Sequence, residues 1–113
     1  MKVATLRHTP QIQALTRRGV RVLLERYVVY FEKLETGEES AIAIQVSKKI
    51  GNAVRRNYLR RVIKETCRQN FPRFIRPGRF VFIVRAQGRS ANFWSTKEEF
   101  ERFFSRNGFL PVP

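Results

Sequence analysis

Seven cationic side chains crowd one short stretch: Lys48, Lys49, Arg55, Arg56, Arg60, Arg61 and Lys64, with no acid among them until Glu65. On a helix, like charges four residues apart repel by roughly a few tenths of a kcal/mol per pair. A run this dense therefore points to a polyanion that offsets the repulsion. Its chemistry is phosphate binding, with Asn52 and Asn57 interspersed as groups able to hydrogen-bond phosphates, sugars or base edges, and Arg68 continuing the series. The whole chain leans the same way. Lys plus Arg outnumber the acids 23 to 9, for a net charge of +14, and such a field attracts nucleic acid first and an anionic membrane surface second.

Groups for covalent chemistry are scarce. The chain has no Asp, whereas metal-dependent nucleases gather carboxylates around their ions. Its Glu residues fall mainly between Glu32 and Glu39 and at Glu98, Glu99 and Glu101; the last three are expected to be cap and surface charges of a helix. His8 is the only histidine, which excludes a histidine pair for acid–base cleavage of RNA. Cys67 is the only cysteine, expected to pack rather than react, and it leaves no disulfide framework and no Cys-based zinc site. Neither a catalytic nor a metal-binding side chain is expected. A reducing compartment, the cytoplasm, fits the single Cys. The opening "MKVATLRHTPQIQ" has no long apolar core, and no run approaches the roughly 18 apolar residues of a membrane span, so neither a signal peptide nor a membrane role is expected.

The elements that must position these residues follow from pattern. With 113 residues, 42% of them apolar and ten of them Phe, the chain is expected to form one domain over residues 1–113 with a single core. Thr9-Pro10 reads as a helix cap and first position, predicting a helix over about residues 10–18 that Gly19 stops. Val20 to Leu34 is rich in β-branched and aromatic residues and predicts strand, with an extra short strand near Val20. After the polar loop "ETGEES", Ala41 to Ser47 alternates with period two, and the two strand segments together read as a hairpin. Asn52 is placed as the cap of the basic helix, which runs to about Asn70 before Pro72. "FVFIVR", Phe80 to Arg85, predicts a strand buried on both faces. Ser95 with Glu98 reads as a capping box for a last helix lined by Phe100, Phe103 and Phe104, with Gly108 just past its end. Trp94, just before that helix, is expected to pack over the core edge rather than stack on RNA. The fold class is α+β: a two-layer sandwich of about three helices on one mixed, roughly four-stranded sheet, in the order α-β-β(-β)-α-β-α.

Helical geometry sorts the basic segment. With Asn57 at zero, Arg60, Arg61, Lys64 and Arg68 lie within about 60° of it, Arg56 about 100° away, and Leu59, Val62, Ile63 and Thr66 gather near about 190°. The apolar stripe docks and a ridge of cations faces outward. A major-groove reading helix normally belongs to a helix-turn-helix or similar module; this one sits between strands, which favours RNA over DNA. A ribosomal protein, an RNA chaperone, a small DNA-binding protein and a stand-alone nuclease are the alternatives, the last weakest for want of Asp.

The helix and its lead-in resemble the protein subunit of bacterial ribonuclease P, a family with a K-K-x-G-N-A-V-x-R-N run followed by further Arg and Lys. Here the run is Lys48, Lys49, Gly51, Asn52, Ala53, Val54, Arg56 and Asn57, then Arg60, Arg61 and Lys64. Tyr58 and Lys64 stand where the family usually has Arg. "LRHTPQIQALTRRG", "ERYVVYFEK", "PGRFVFIVR" and the closing helix follow in the family's order. The resemblance implies a ribonucleoprotein that removes the 5′ leader from precursor tRNA, with Mg²⁺ held mainly by the RNA subunit, which performs the hydrolysis, and none bound by the protein alone. It implies two partners: the catalytic RNA, against Lys48, Lys49, Asn52, Arg55, Arg56, Asn57, Arg60, Arg61, Lys64 and Arg68, and the precursor tRNA. Its single-stranded leader would lie in a cleft between the first helix and the sheet, mapped here to Ile12, Thr16 and Tyr30, with Ser47, Gln45 and Arg85 at the border.

Overall fold

The computed structural model describes residues 3–111. Five strands form one mixed sheet: β1 (Ala4–Thr5), β2 (Val20–Leu23), β3 (Tyr27–Lys33), β4 (Ala41–Gln45) and β5 (Gly78–Val84). Three helices accompany them: α1 (Thr9–Arg18), α2 (Ala53–Asn70) and α3 (Phe93–Arg106). The strand order is β1-β4-β5-β3-β2. The α+β class is as expected, with five strands where about four were predicted; the added one is the two-residue β1, paired parallel with β4.

The expected hairpin of the two central segments is not formed. β3 pairs antiparallel with β2 on one side and with β5 on the other, so it has no free edge for β4. β4 runs parallel to β5, and parallel neighbours require a crossover, which α2 supplies. The long Val20–Leu34 run is itself the hairpin. It breaks at Leu24–Arg26, where Arg85 donates to the carbonyls of Leu24 and Glu25 at 2.7 and 2.8 Å. Glu99 clamps the same turn: its carboxylate accepts the backbone N–H and the guanidinium of Arg26 at 3.1 and 3.0 Å. Glu99 is thus a buried structural acid, unlike the surface charge expected. Its isolation from water is tolerable because both oxygens are bonded.

β5 is central and buried on both faces, as its unbroken apolar run requires. One face carries Tyr27, Val29, Phe31, Ile42, Phe80, Phe82 and Val84 against α2 and α3. The other carries Ala43 and Val81 against Leu15 of α1. The helices are therefore split between the faces, α1 alone on the second. Gly19 makes the turn from α1 into β2, and a Cβ there would stand 2.6 Å from the Leu15 carbonyl and 2.9 Å from that of Phe31. α3 begins earlier than predicted: Asn92 is its cap, exchanging hydrogen bonds with Ser95, so the box is Asn92–Ser95 rather than Ser95–Glu98. At its other end Gly108, with φ +82, takes the left-handed position as expected. α1 likewise starts at Thr9 with His8 as cap, one residue before the prediction.

Tyr27 gives the fold a pH dependence. Its fully buried hydroxyl pairs with Thr96 Oγ1 at 2.5 Å. Burial pushes its pKa up from 10.0 to about 12. A folded-state value above the unfolded one means this contribution is intact below about pH 10 and is lost as pH rises through about 12. Tyr27→Phe is expected to cost about 1–2 kcal/mol near neutrality, by orphaning Thr96. It should also shed this alkaline loss, so that urea midpoints of wild type and variant converge between neutral pH and about pH 11.

Candidate nucleic-acid interface

The interface is built on α2. Asn52 caps it, accepting the Arg55 backbone N–H at 2.9 Å, as expected. Leu59, Val62, Ile63, Thr66, Cys67 and Asn70 form its buried stripe. Leu59 and Ile63 are wholly enclosed, each worth about 1.5–3 kcal/mol of burial. Cys67 packs in the core, and burial drives its thiol pKa far up, away from reactivity. With that stripe seated, Asn57, Arg61, Lys64 and Arg68 are exposed and Arg56 and Arg60 half-buried, the outward ridge the helical angles require.

The ten candidate side chains are not equivalent. Lys48 and Lys49 lie exposed on a 3₁₀ turn (Lys48–Ile50) just before α2, near the positive end of its dipole. Together with Arg56, Arg60, Arg61 and Lys64 they make no ion pair among the described residues. Arg60 donates to Asn57 Oδ1 at 3.1 Å, and Arg56 to the Gly51 carbonyl at 3.2 Å. Arg68 is bound to Glu65 through two bonds, one of 2.8 Å from Nε. That pairing holds the Glu65 carboxyl down at about 2 and raises Arg68 further, so the end of the ridge is half neutralised. Arg55 turns the other way. It donates to the carbonyls of Arg89 (2.7 Å) and Ala91 and lies 5.0 Å over the Tyr58 ring, so it bolts α2 to the segment before α3.

A feature the sequence did not suggest flanks the ridge. Val3, just before β1, and Thr5, within it, form an open groove with Arg61, Lys64, Glu65 and Arg68. Two residues of strand carry too little pattern to be recognised.

The opposite sheet face holds the second candidate region. Ile12 and Tyr30 pack into one cluster with Leu15, Ala43 and Val81. Thr16 is half-buried on the same helix and donates to the Gln13 carbonyl at 3.0 Å. Ser47, exposed, follows β4. Register places Arg21 opposite Tyr30, and Leu23 opposite Val28 and hence Ile83, so α1 covers only part of this face. Beyond it lies a strip of Leu23, Val28, Ile83 and exposed Gln45. Arg21 and Leu23 carry no signal in the sequence, because their alternation becomes meaningful only once β2 is paired with β3. Arg85 is occupied by the turn it closes. No group of three His, Cys, Asp or Glu side chains that could hold a metal ion is found among the described residues.

The Ribonuclease P family profile matches residues 1–108. The chain belongs to this family. The ribonuclease P protein component of Desulforamulus reducens is 36% identical over 92 residues, 81% of this chain and 80% of that one. That of Exiguobacterium sibiricum is 33% identical over 87% of this chain and 84% of its own. The solved ribonuclease P protein of Thermotoga maritima superposes with a TM-score of 0.78 at 27% identity, covering 90% of this chain and 96% of the other. A Staphylococcus aureus ribonuclease P protein shares the fold at 22% identity, with a TM-score of 0.84 over 96% of this chain and 99% of that one. The sheet and three helices described above are thus the ribonuclease P protein fold, and the Lys48–Lys64 motif lies on α2 and its lead-in.

Proposed function

We propose that this protein is the subunit of a ribonucleoprotein that removes the 5′ leader from precursor tRNA, with hydrolysis performed by the RNA subunit. The observation that carries this reading is the outward ridge of α2, whose cations from Arg56 to Lys64 pair with no acid among the described residues, on a chain of the ribonuclease P family. The ridge lies against phosphates of the catalytic RNA. Each contact releases counterions, so binding is strongly salt-dependent. The leader runs over the opposite face, past Ile12, Thr16 and Tyr30 toward Ser47, with Arg21 beside Tyr30 for its phosphates. Mg²⁺ would be held by the RNA subunit rather than by side chains of this protein, and when bound it would supply polarisation of the scissile phosphodiester and activation of water. The protein screens repulsion between two polyanions and thereby favours occupancy of the RNA's metal sites at low Mg²⁺. The work is cytoplasmic.

The test is cleavage of a precursor tRNA at low Mg²⁺ by the protein alone, by a bacterial ribonuclease P RNA alone, and by both. Efficient cleavage at the 5′ maturation site by the pair alone is the expected result. If the protein adds nothing to the RNA, the proposal fails and a general RNA-binding role takes its place.

A further inference from the structure

Trp94 does not pack over the core edge as its sequence context suggested. It sits in the first turn of α3 with 73% of its surface exposed, and it is the only tryptophan in the chain. Its ring meets Phe93 edge to face at 5.2 Å. The indole is thus not spent on the core and is available, as a large amphipathic ring, to a partner at the surface.

Its position gives that function. The segment leading into Trp94 is held to the first turn of α2 by Arg55, through the Arg89 and Ala91 carbonyls. The Asn92–Ser95 box then fixes the backbone from which the indole projects. The platform is therefore rigid and continuous with the helix that carries the cationic ridge. Arg89 is exposed and without an ion pair among the described residues, and the 3₁₀ turn bearing Lys48 and Lys49 packs against the one at Ala86–Ser90. The acid one turn along from Trp94 on α3, Glu98, is held by Arg102 at 3.0 Å. An exposed aromatic side chain whose lead-in segment carries the unpaired Arg89 and packs against the turn of Lys48 and Lys49 is the chemistry that receives a nucleobase while its phosphates are neutralised nearby.

We propose that Trp94 stacks on an unpaired nucleobase of the RNA bound along α2, extending that interface beyond the Lys48–Lys64 motif onto α3. This rests on the RNA-binding reading of α2. The experiment uses the full chain and a bacterial ribonuclease P RNA, with affinity measured by filter binding and Trp94 emission recorded in the same titration. Emission should change saturably along the filter-binding isotherm. Trp94→Ala should bind about tenfold more weakly at matched salt, the loss of one stacked base. Its salt slope should be unchanged because no phosphate contact is removed, and Trp94→Phe should recover most of the affinity. If the RNA binds but emission does not move and Trp94→Ala keeps wild-type affinity, stacking is overturned while the RNA-binding reading stands; the indole would then be free for a protein partner. If the wild-type protein fails to bind the RNA at all, both fall together.

Discussion

Affinity for ribonuclease P RNA is expected to drop by about 10- to 100-fold near physiological salt when Arg60, Arg61 and Lys64 are replaced together by Ala. The dependence of log affinity on log salt should become shallower by about 2 to 3, because each cation that neutralises a phosphate contributes roughly 0.7 to 0.9 to that slope. The fold should survive. None of the three carries an ion pair among the described residues, Ala is the best helix former, and removing like charges relieves repulsion along α2. Filter binding at several salt concentrations, with a thermal melt of each protein, separates the two effects. A triple variant with the wild-type slope and an unchanged melt would remove α2 from the interface. This signature also differs from the one expected at Trp94, where affinity falls and slope does not. Arg55→Ala is a useful contrast, since its guanidinium is engaged by the Arg89 and Ala91 carbonyls and its loss should appear first in stability.

Phe80→Ala is expected to destabilise the protein by about 3–5 kcal/mol, a large share of the roughly 5–15 kcal/mol that holds a domain of this size together. Phe80 is fully buried on the central strand. Its ring lies within 4.8 to 6.4 Å of those of Phe31, Phe71, Phe74, Phe82, Phe103, Phe104 and Phe109. Its neighbours come from two strands, α3, the segment after α2 and the chain beyond α3, so they cannot all collapse into one cavity. Urea unfolding should show a lower midpoint with an unchanged slope. Phe80→Leu should recover more than half of the loss, because it refills most of the volume. Saturating RNA should restore part of the midpoint by mass action, about 2.7 kcal/mol at a hundredfold excess over Kd. A loss below about 1 kcal/mol would mean that the aromatic cluster is not the mechanical centre of the fold.

Most of α2 is legible in the amino-acid sequence. Its cap, length, buried stripe and cationic ridge are consequences of local chemistry: Asn52 satisfies a free backbone N–H, and a 3.6-residue repeat separates Leu59, Val62, Ile63 and Thr66 from Arg61, Lys64 and Arg68. β5 is legible for a similar reason, since an apolar run without alternation belongs in the middle of a sheet. What the sequence does not reveal depends on partners distant along the chain. Adjacent strands suggest a β3–β4 hairpin, but pairing is decided by which edges remain free, and β5 takes the place between them. Two-residue β1 exists only because the β4 edge is there to receive it. Arg55, one cation among many in sequence, becomes a structural clamp because two carbonyls across the turn face it. Glu99 becomes a buried anchor because the β2–β3 turn folds back onto α3. By itself the sequence determined charge, composition, helix faces and the family motif, which are properties of residue types and near neighbours. Only the tertiary structure decided strand order, the placement of α1 on the opposite face, and the exposure of Trp94, because these follow from packing among residues that the sequence holds far apart.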